Sequence, residues 1–203
     1  MTDKTPELTT LIEPLIDLAC AAGRKILAVY DSENVAVEQK DDKSPLTAAD
    51  MASHHAIVDG LASLTPAIPV LSEESASLPY SERSSWSTYW LVDPLDGTRE
   101  FIKRNGEFTV NIALIEDGVA VLGVVHVPVT DTTYLGCRGK GAFKQVSGSD
   151  RKPIHVRPLG DGPVMVVGSR SHRGESLNKF LDRLGEHEMV GMGSSLKLCL
   201  VAE

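Results

Sequence analysis

Nine residues, Trp90-Leu91-Val92-Asp93-Pro94-Leu95-Asp96-Gly97-Thr98, set the terms for the rest of the chain. They run apolar to Val92 and then turn acidic at once. Trp90 to Val92 has the composition of the end of a buried strand. Pro94 has no N–H to give a sheet ladder, so the strand is expected to stop at Asp93. Asp96 then falls on the following turn. Gly97 removes a side chain where backbone would meet a ligand closely. Thr98 opens a short helical segment, Arg99 to Arg104. Two carboxylates at a strand end, followed by glycine and a helix start, suit hard cations and phosphate. The same residues read equally well as a polar turn with Asp96-Gly97 at its corner.

The 203 residues leave room for one or two domains and a sizeable core. With 42% hydrophobic and 24% charged residues, the composition is that of a soluble globular protein. A net charge of -8, with no Lys/Arg cluster to offset it, argues against a nucleic-acid duplex as partner. A small anionic substrate still fits if metal ions neutralise it locally. Cys20, Cys137 and Cys199 are odd in number and show no metal-ligand or redox spacing, which suits reduced thiols. The first residues lack the apolar core of a signal peptide, and no apolar run is long enough to span a bilayer. A cytoplasmic location, at most peripheral to the inner face of the membrane, is expected. Nothing in the sequence fixes an oligomeric state.

Leu8, Leu11, Ile12, Leu15, Ile16, Ala19, Ala22 and Ile26 recur at helical spacing and predict a helix ending near Tyr30. Pro14 belongs in a first turn, which puts the start between Thr10 and Glu13. A polar loop follows, and a second helix opens at Thr47 and runs to about Leu64. Thr47-Ala48-Ala49-Asp50 has the spacing of a capping box, which accounts for Asp50 with no function at all. Ile68 to Leu71 predicts a short strand delivering Glu73 and Glu74, residues that at such a place are usually just solvated. Residues 75–88 read as an exposed loop. Phe108 to Ile115, Val119 to Val127, Thr132 to Cys137 and Ala142 to Gln145 predict a meander. Asn111, polar within it, reads as a hydrogen-bonded core residue. Two Gly and two Pro near 158–163 mark a boundary between an N-terminal α+β domain, residues 1–158, and a C-terminal α/β portion, residues 159–203. The latter alternates strand (Val164 to Val167), amphipathic helix (Leu177 to Leu184, stopped at Gly185), strand (Met189 to Met192) and a helix from Ser194.

Asp93-Pro94-Leu95-Asp96-Gly97-Thr98 resembles the signature of the inositol monophosphatase superfamily of magnesium-dependent, lithium-sensitive phosphatases. Leu71-Ser72-Glu73-Glu74-Ser75 and Lys43-Ser44-Pro45-Leu46-Thr47-Ala48-Ala49-Asp50 resemble its companion motifs. Phe101 to Asn111 is similar to the CysQ branch, the 3'(2'),5'-bisphosphate nucleotidases. The likeness runs from the first helix to Glu203.

The resemblance implies a layered αβαβα sandwich, with the second domain incomplete. It implies two or three Mg2+ ions held by Glu73, Asp93, Asp96 and the main-chain carbonyl of Leu95. Thr98 would hold the nucleophilic water, with Glu73 or Asp50 as base-like partner. Gly97 and Thr98 would offer N–H groups to the phosphate, and Lys43 would sit near it. Ser169, His172, Ser194 and Lys197 would hold the second phosphate and ribose of the substrate. Each of these also reads as an ordinary surface cluster. The reaction implied converts adenosine 3',5'-bisphosphate to AMP and phosphate, removing a by-product of sulfate assimilation. An inositol or sugar monophosphatase and a non-catalytic metal- and nucleotide-binding fragment are the alternatives.

Relatives continue past this point into a Trp-Asp-Ser/Thr-Ala-Ala motif whose aspartate binds metal and substrate. No counterpart follows Asp96 here; Trp86 precedes it. A shortened form of a longer protein is therefore expected, with one metal ion short of a ligand, apolar surface on the second domain, low turnover and a tendency to associate.

Overall fold

The computed structural model describes residues 7–32, 37–39, 45–75, 78–170 and 174–203. Its first element, α1 (Leu8–Tyr30), buries Leu11, Leu15, Ile16, Ala19, Ala22 and Ile26 along one face, as the helical spacing predicts. It starts earlier than Pro14 suggested, and Pro14 lies in its interior. Glu7 anchors the upstream turn. Its carbonyl accepts from Thr10 N at 2.9 Å and Thr10 Oγ1 at 2.7 Å, and its carboxylate accepts from Thr9 Oγ1. The helix can thus begin before the residue that lacks an N–H.

Short strands β1 (Val37–Gln39) and β2 (Pro45–Thr47) pair antiparallel. β2 leads directly into α2 (Ala48–Leu64). The capping box is present: Asp50 Oδ2 accepts from Thr47 N at 2.7 Å, and Thr47 Oγ1 accepts from Ala49 N at 3.2 Å. β3 (Val70–Ser72) is shorter and later than the predicted strand. The expected loop at 75–88 holds one helical turn, α3 (Tyr80–Arg83). Then come β4 (Thr88–Asp96), α4 (Thr98–Ile102), β5 (Thr109–Glu116), β6 (Val119–Val127), β7 (Thr132–Cys137), β8 (Gly141–Val146) and β9 (Lys152–Ile154). Strands β3 to β9 form one seven-stranded sheet in sequence order. β3 is parallel to β4, and every later pair is antiparallel. β9 was not expected; its Pro153 is tolerated because the strand lies at the sheet edge.

The period of two along these strands sorts their side chains. Trp90, Val92, Val110, Ile112, Leu114 and Val124 join one cluster with the buried faces of α1 and α2. Leu91, Asp93, Asn111, Ala113, Gly123 and Val125 line a groove on the other face.

Residues 155–163 carry no helix or strand. Beyond them lie β10 (Val164–Ser169), α5 (Glu175–Leu184), β11 (His187–Met192) and α6 (Leu196–Ala202). β10 and β11 pair in parallel. α5 comes against β10 where Leu177 approaches Gly168. α6 touches β10 and also lays Leu196 and Cys199 against Val127 and Tyr134 of the large sheet. The order α1 and α2, large sheet, α6, small sheet, α5 is the layered αβαβα arrangement expected.

Candidate active site

Pro94 does not end β4. The strand continues to Asp96, with an irregularity between Asp93 and Asp96. Asp93 pairs with Asn111 and Asp96 with Thr109, so three steps on β4 match two on β5. This is one extra residue, a β-bulge. Pro94 lies where the ladder is interrupted, and its missing N–H costs nothing there. In a regular strand, residues three apart point to opposite faces. The bulge cancels that, because Thr109 and Asn111 are two apart on β5. Asp93 and Asp96 therefore open onto the same face. Ser53 on α2 donates to Pro94 O at 2.7 Å and fastens the bulge from behind.

Glu73 follows β3, and its N–H donates to Val92 O at 3.0 Å, carrying the strand pairing one residue further. Its carboxylate meets that of Asp93. Burial, and then the charges of Glu73 and Asp96, push the Asp93 carboxyl up to about 8. Asp93 Oδ1 is shut off from solvent with no hydrogen-bond partner. Such an atom normally costs stability.

Thr98 Oγ1 lies 3.2 Å from Asp50 Oδ1 and 3.3 Å from Leu95 O, and can donate to either. Asp50 is buried, and its other oxygen is held by Thr47 N and Oγ1. The cap and the proximity to Thr98 thus coexist on one carboxylate. Gly97 has φ 94°, and a Cβ there would come within 3.0 Å of Glu107 O and 3.2 Å of Ser194 Cβ. Glycine is needed both for the left-handed backbone and for that close approach.

The residues before α6 close the site from the other side. Ser195 N donates to Asp96 Oδ2 at 2.5 Å. Ser195 Oγ lies 2.9 Å from Thr109 Oγ1 and donates to Asn111 Oδ1 at 2.9 Å. Asn111 is hydrogen-bonded, as expected, but its partner lies across the layers. Ser194 lies against Gly97, and Lys197 Nζ donates to Ser194 O. Ser169 ends β10 beside Arg170. Lys43 and His172 lie outside the described residues.

Glu107 is a residue at the candidate site that sequence reasoning missed. Its carboxylate accepts from Arg170 Nε at 3.1 Å, from Arg170 Nη2 at 2.5 Å and from Gly193 N at 2.8 Å. It clamps β10 and the approach to α6 onto the edge of the carboxylate cluster. Its only local signal is a glutamate just before an apolar strand. Ser195 and Thr109 were likewise not singled out as a pair.

A cavity of about 950 Å³ among the described residues is not centred on this chemistry. It runs over the apolar face of the sheet and meets the cluster at Glu73, Asp93 and Asn111. Converging carboxylates, rather than cavity size, locate the site.

A family model described as "Inositol monophosphatase family" matches residues 7–203. The 3'(2'),5'-bisphosphate nucleotidase CysQ of Salmonella typhimurium is 53% identical over 194 residues, which cover 95% of this chain and 77% of that protein. The protein of the same name from Haemophilus influenzae is 35% identical over 194 residues, 95% of this chain and 72% of that one. Among solved structures, CysQ from Bacteroides thetaiotaomicron superposes with a TM-score of 0.80 at 40% identity, covering 94% of this chain and 75% of that chain.

Proposed function

We infer that this chain, which belongs to the inositol monophosphatase family, is a metal-dependent phosphoric monoester hydrolase acting as a 3'(2'),5'-bisphosphate nucleotidase. Its substrate is adenosine 3',5'-bisphosphate, and its products are AMP and phosphate. The substrate assignment is supported by the CysQ relatives, above all those at 53% identity.

Asp93 carries the metal assignment. A buried carboxylate oxygen without a partner, beside two more carboxylates, suits a hard divalent cation bound through oxygen. Glu73, Asp93, Asp96 and the Leu95 carbonyl would hold Mg2+, as two or three ions. Bound there, the metal supplies charge neutralisation for the phosphoryl group and stabilises the leaving oxygen. Leu95 O still has a second lone pair beside the one facing Thr98.

The remaining work falls to the chain's own groups. With its proton turned to Asp50, Thr98 Oγ1 has lone pairs to accept a hydrogen bond from the attacking water. Asp50 Oδ1 receives the proton through that hydroxyl, and the capping box keeps the carboxylate from turning away. Glu73 is the second base-like partner. The N–H groups of Gly97 and Thr98, at the start of α4, hold the phosphate being cleaved. Ser169, Ser194 and Lys197 hold the second phosphate and the ribose, with Lys197 as the cation.

Phosphate release tests this. Adenosine 3',5'-bisphosphate should be hydrolysed in Mg2+ ahead of inositol monophosphate and sugar phosphates, and not at all after chelation. The ranking of substrates, rather than the absolute rate of this 203-residue chain, decides. Equal or better turnover of inositol monophosphate would overturn the substrate assignment, and turnover surviving chelation would overturn the metal site.

A further inference from the structure

On the helix-covered face of the large sheet, opposite the carboxylate cluster, three ligand-bearing side chains converge. The coordinating atoms of Cys20, His126 and Asp131 all lie within 4.8 Å of one another. We propose that these residues bind a divalent transition-metal ion of the zinc class, at a site separate from the oxygen-lined centre.

Their sequence separation hides the site, since no two of the cysteines or histidines have metal-ligand spacing. The fold supplies it. Cys20 and Gly23 lie three apart on α1, hence on one face. A Cβ at Gly23 would fall 2.7 Å from His126 Cδ2 and 2.8 Å from Nε2, so only glycine lets that edge of the ring come so close to the helix. That packing turns Nδ1 toward Cys20, with Sγ 3.9 Å away. A tetrahedral zinc-type ion holding one sulfur and one imidazole nitrogen separates them by about 3.5 Å.

Asp131 follows the 3-10 turn Pro128–Thr130, in a left-handed conformation with φ 46°. Its N–H donates to Pro128 O at 3.3 Å, and its carbonyl accepts from Ser147 N at 2.8 Å. The carboxylate is thus delivered from the exposed side by a tethered turn. Thr133, directly across from His126 in the sheet, places Oγ1 2.9 Å from Nδ1 and 4.0 Å from Sγ. A bound ion replaces that hydrogen bond on Nδ1. One sulfur, one imidazole and one carboxylate form a borderline-soft set that prefers Zn2+ or Co2+ to Mg2+. The exposed side leaves a fourth position for water.

Cobalt gives a readout independent of activity. Chelator-stripped protein, kept reduced without added thiols, is titrated with Co2+ in excess Mg2+. A thiolate-to-cobalt charge-transfer band should saturate at one equivalent. It should vanish in Cys20→Ser and persist in Cys199→Ser. Asp131→Asn keeps a residue type suited to positive φ and an exposed position, so it should fold normally and bind Co2+ at least about tenfold more weakly. Zn2+ should raise the melting temperature of the parent protein and raise that of Asp131→Asn distinctly less. Absence of the band, its survival in Cys20→Ser, or parent-like affinity in Asp131→Asn would overturn the proposal.

Discussion

The seven-stranded sheet and the region from Val164 onward carry equally clear apolar patterns, yet they use them differently. In the first, the face turned to α1 and α2 is fully covered: Leu114 is 0% exposed, whereas Leu91 on the groove face is 43% exposed. In the second, α5 has apolar residues at helical spacing as regular as those of α1, but none is buried, and Phe180 is 58% exposed. Met165 on β10 and Leu198 and Val201 on α6 are exposed as well. Periodicity therefore states which face seeks cover; it does not state whether the cover is present. The proposed catalytic cluster straddles the two regions. Its carboxylates stand on the well-packed part, while Ser194, Ser195 and Lys197 come from the loosely covered part.

The comparison can be pressed hardest at the carboxylates. Asp93→Asn and Asp96→Asn should each cut Mg2+-dependent turnover on the order of 10³-fold, the loss of several kcal/mol of transition-state stabilisation. Both should remain folded by circular dichroism. Asp93→Asn should melt no earlier than the parent protein without metal, because it removes a buried carboxylate crowded by Glu73 and Asp96. Near-normal activity in either variant would show that the well-packed part does not hold the metal.

Next in size is a pair of truncations. Leu114→Ala should cost about 2–5 kcal/mol in urea unfolding, and Phe180→Ala should stay within about 0.5 kcal/mol. Comparable losses would mean that α5 is as well packed as the sheet, and the contrast would collapse.

Lys197→Ala should weaken kcat/KM for adenosine 3',5'-bisphosphate roughly tenfold, about the worth of one charge-assisted contact, with little effect on a simple monophosphate. A uniform loss on both substrates would give Lys197 a structural role, through its bond to Ser194 O. The smallest effect is expected from Glu107→Gln. Amide exchange at Gly193 and along β10 should quicken while the sheet core stays protected, because Glu107 joins Arg170 and Gly193 to the large sheet. Unchanged exchange would remove Glu107 from the clamp.

What the sequence disclosed was local. The Thr47–Asp50 cap, the β5–β8 meander, the α5 stop at Gly185 and the acidic end of β4 all follow from residues near one another, and all appear in the structure. Pro14 and Pro94 misled because the cost of a proline depends on what surrounds it. The buried face on both sides of Pro14, Leu11 with Leu15 and Ile16, carries α1 past the lost bond, and the bulge had already opened the ladder at Pro94. The clamp of Glu107 on Arg170 and the meeting of Cys20 with His126 were hidden for another reason. Each joins residues whose proximity exists only once the layers have stacked.

The bulge at Pro94 also bears on how this protein can change over generations. Side chains within a sheet vary one at a time, but the count of residues between Asp93 and Asp96 behaves like a reading frame. Inserting one residue while the bulge is kept would carry Asp96 one step past Thr109 and turn it toward α2, with every original residue still chemically suited to its place. Selection on this loop thus acts on an interval as strictly as on identities. A descendant with an altered interval could keep the sheet and the look of the motif while losing the chemistry in a single event.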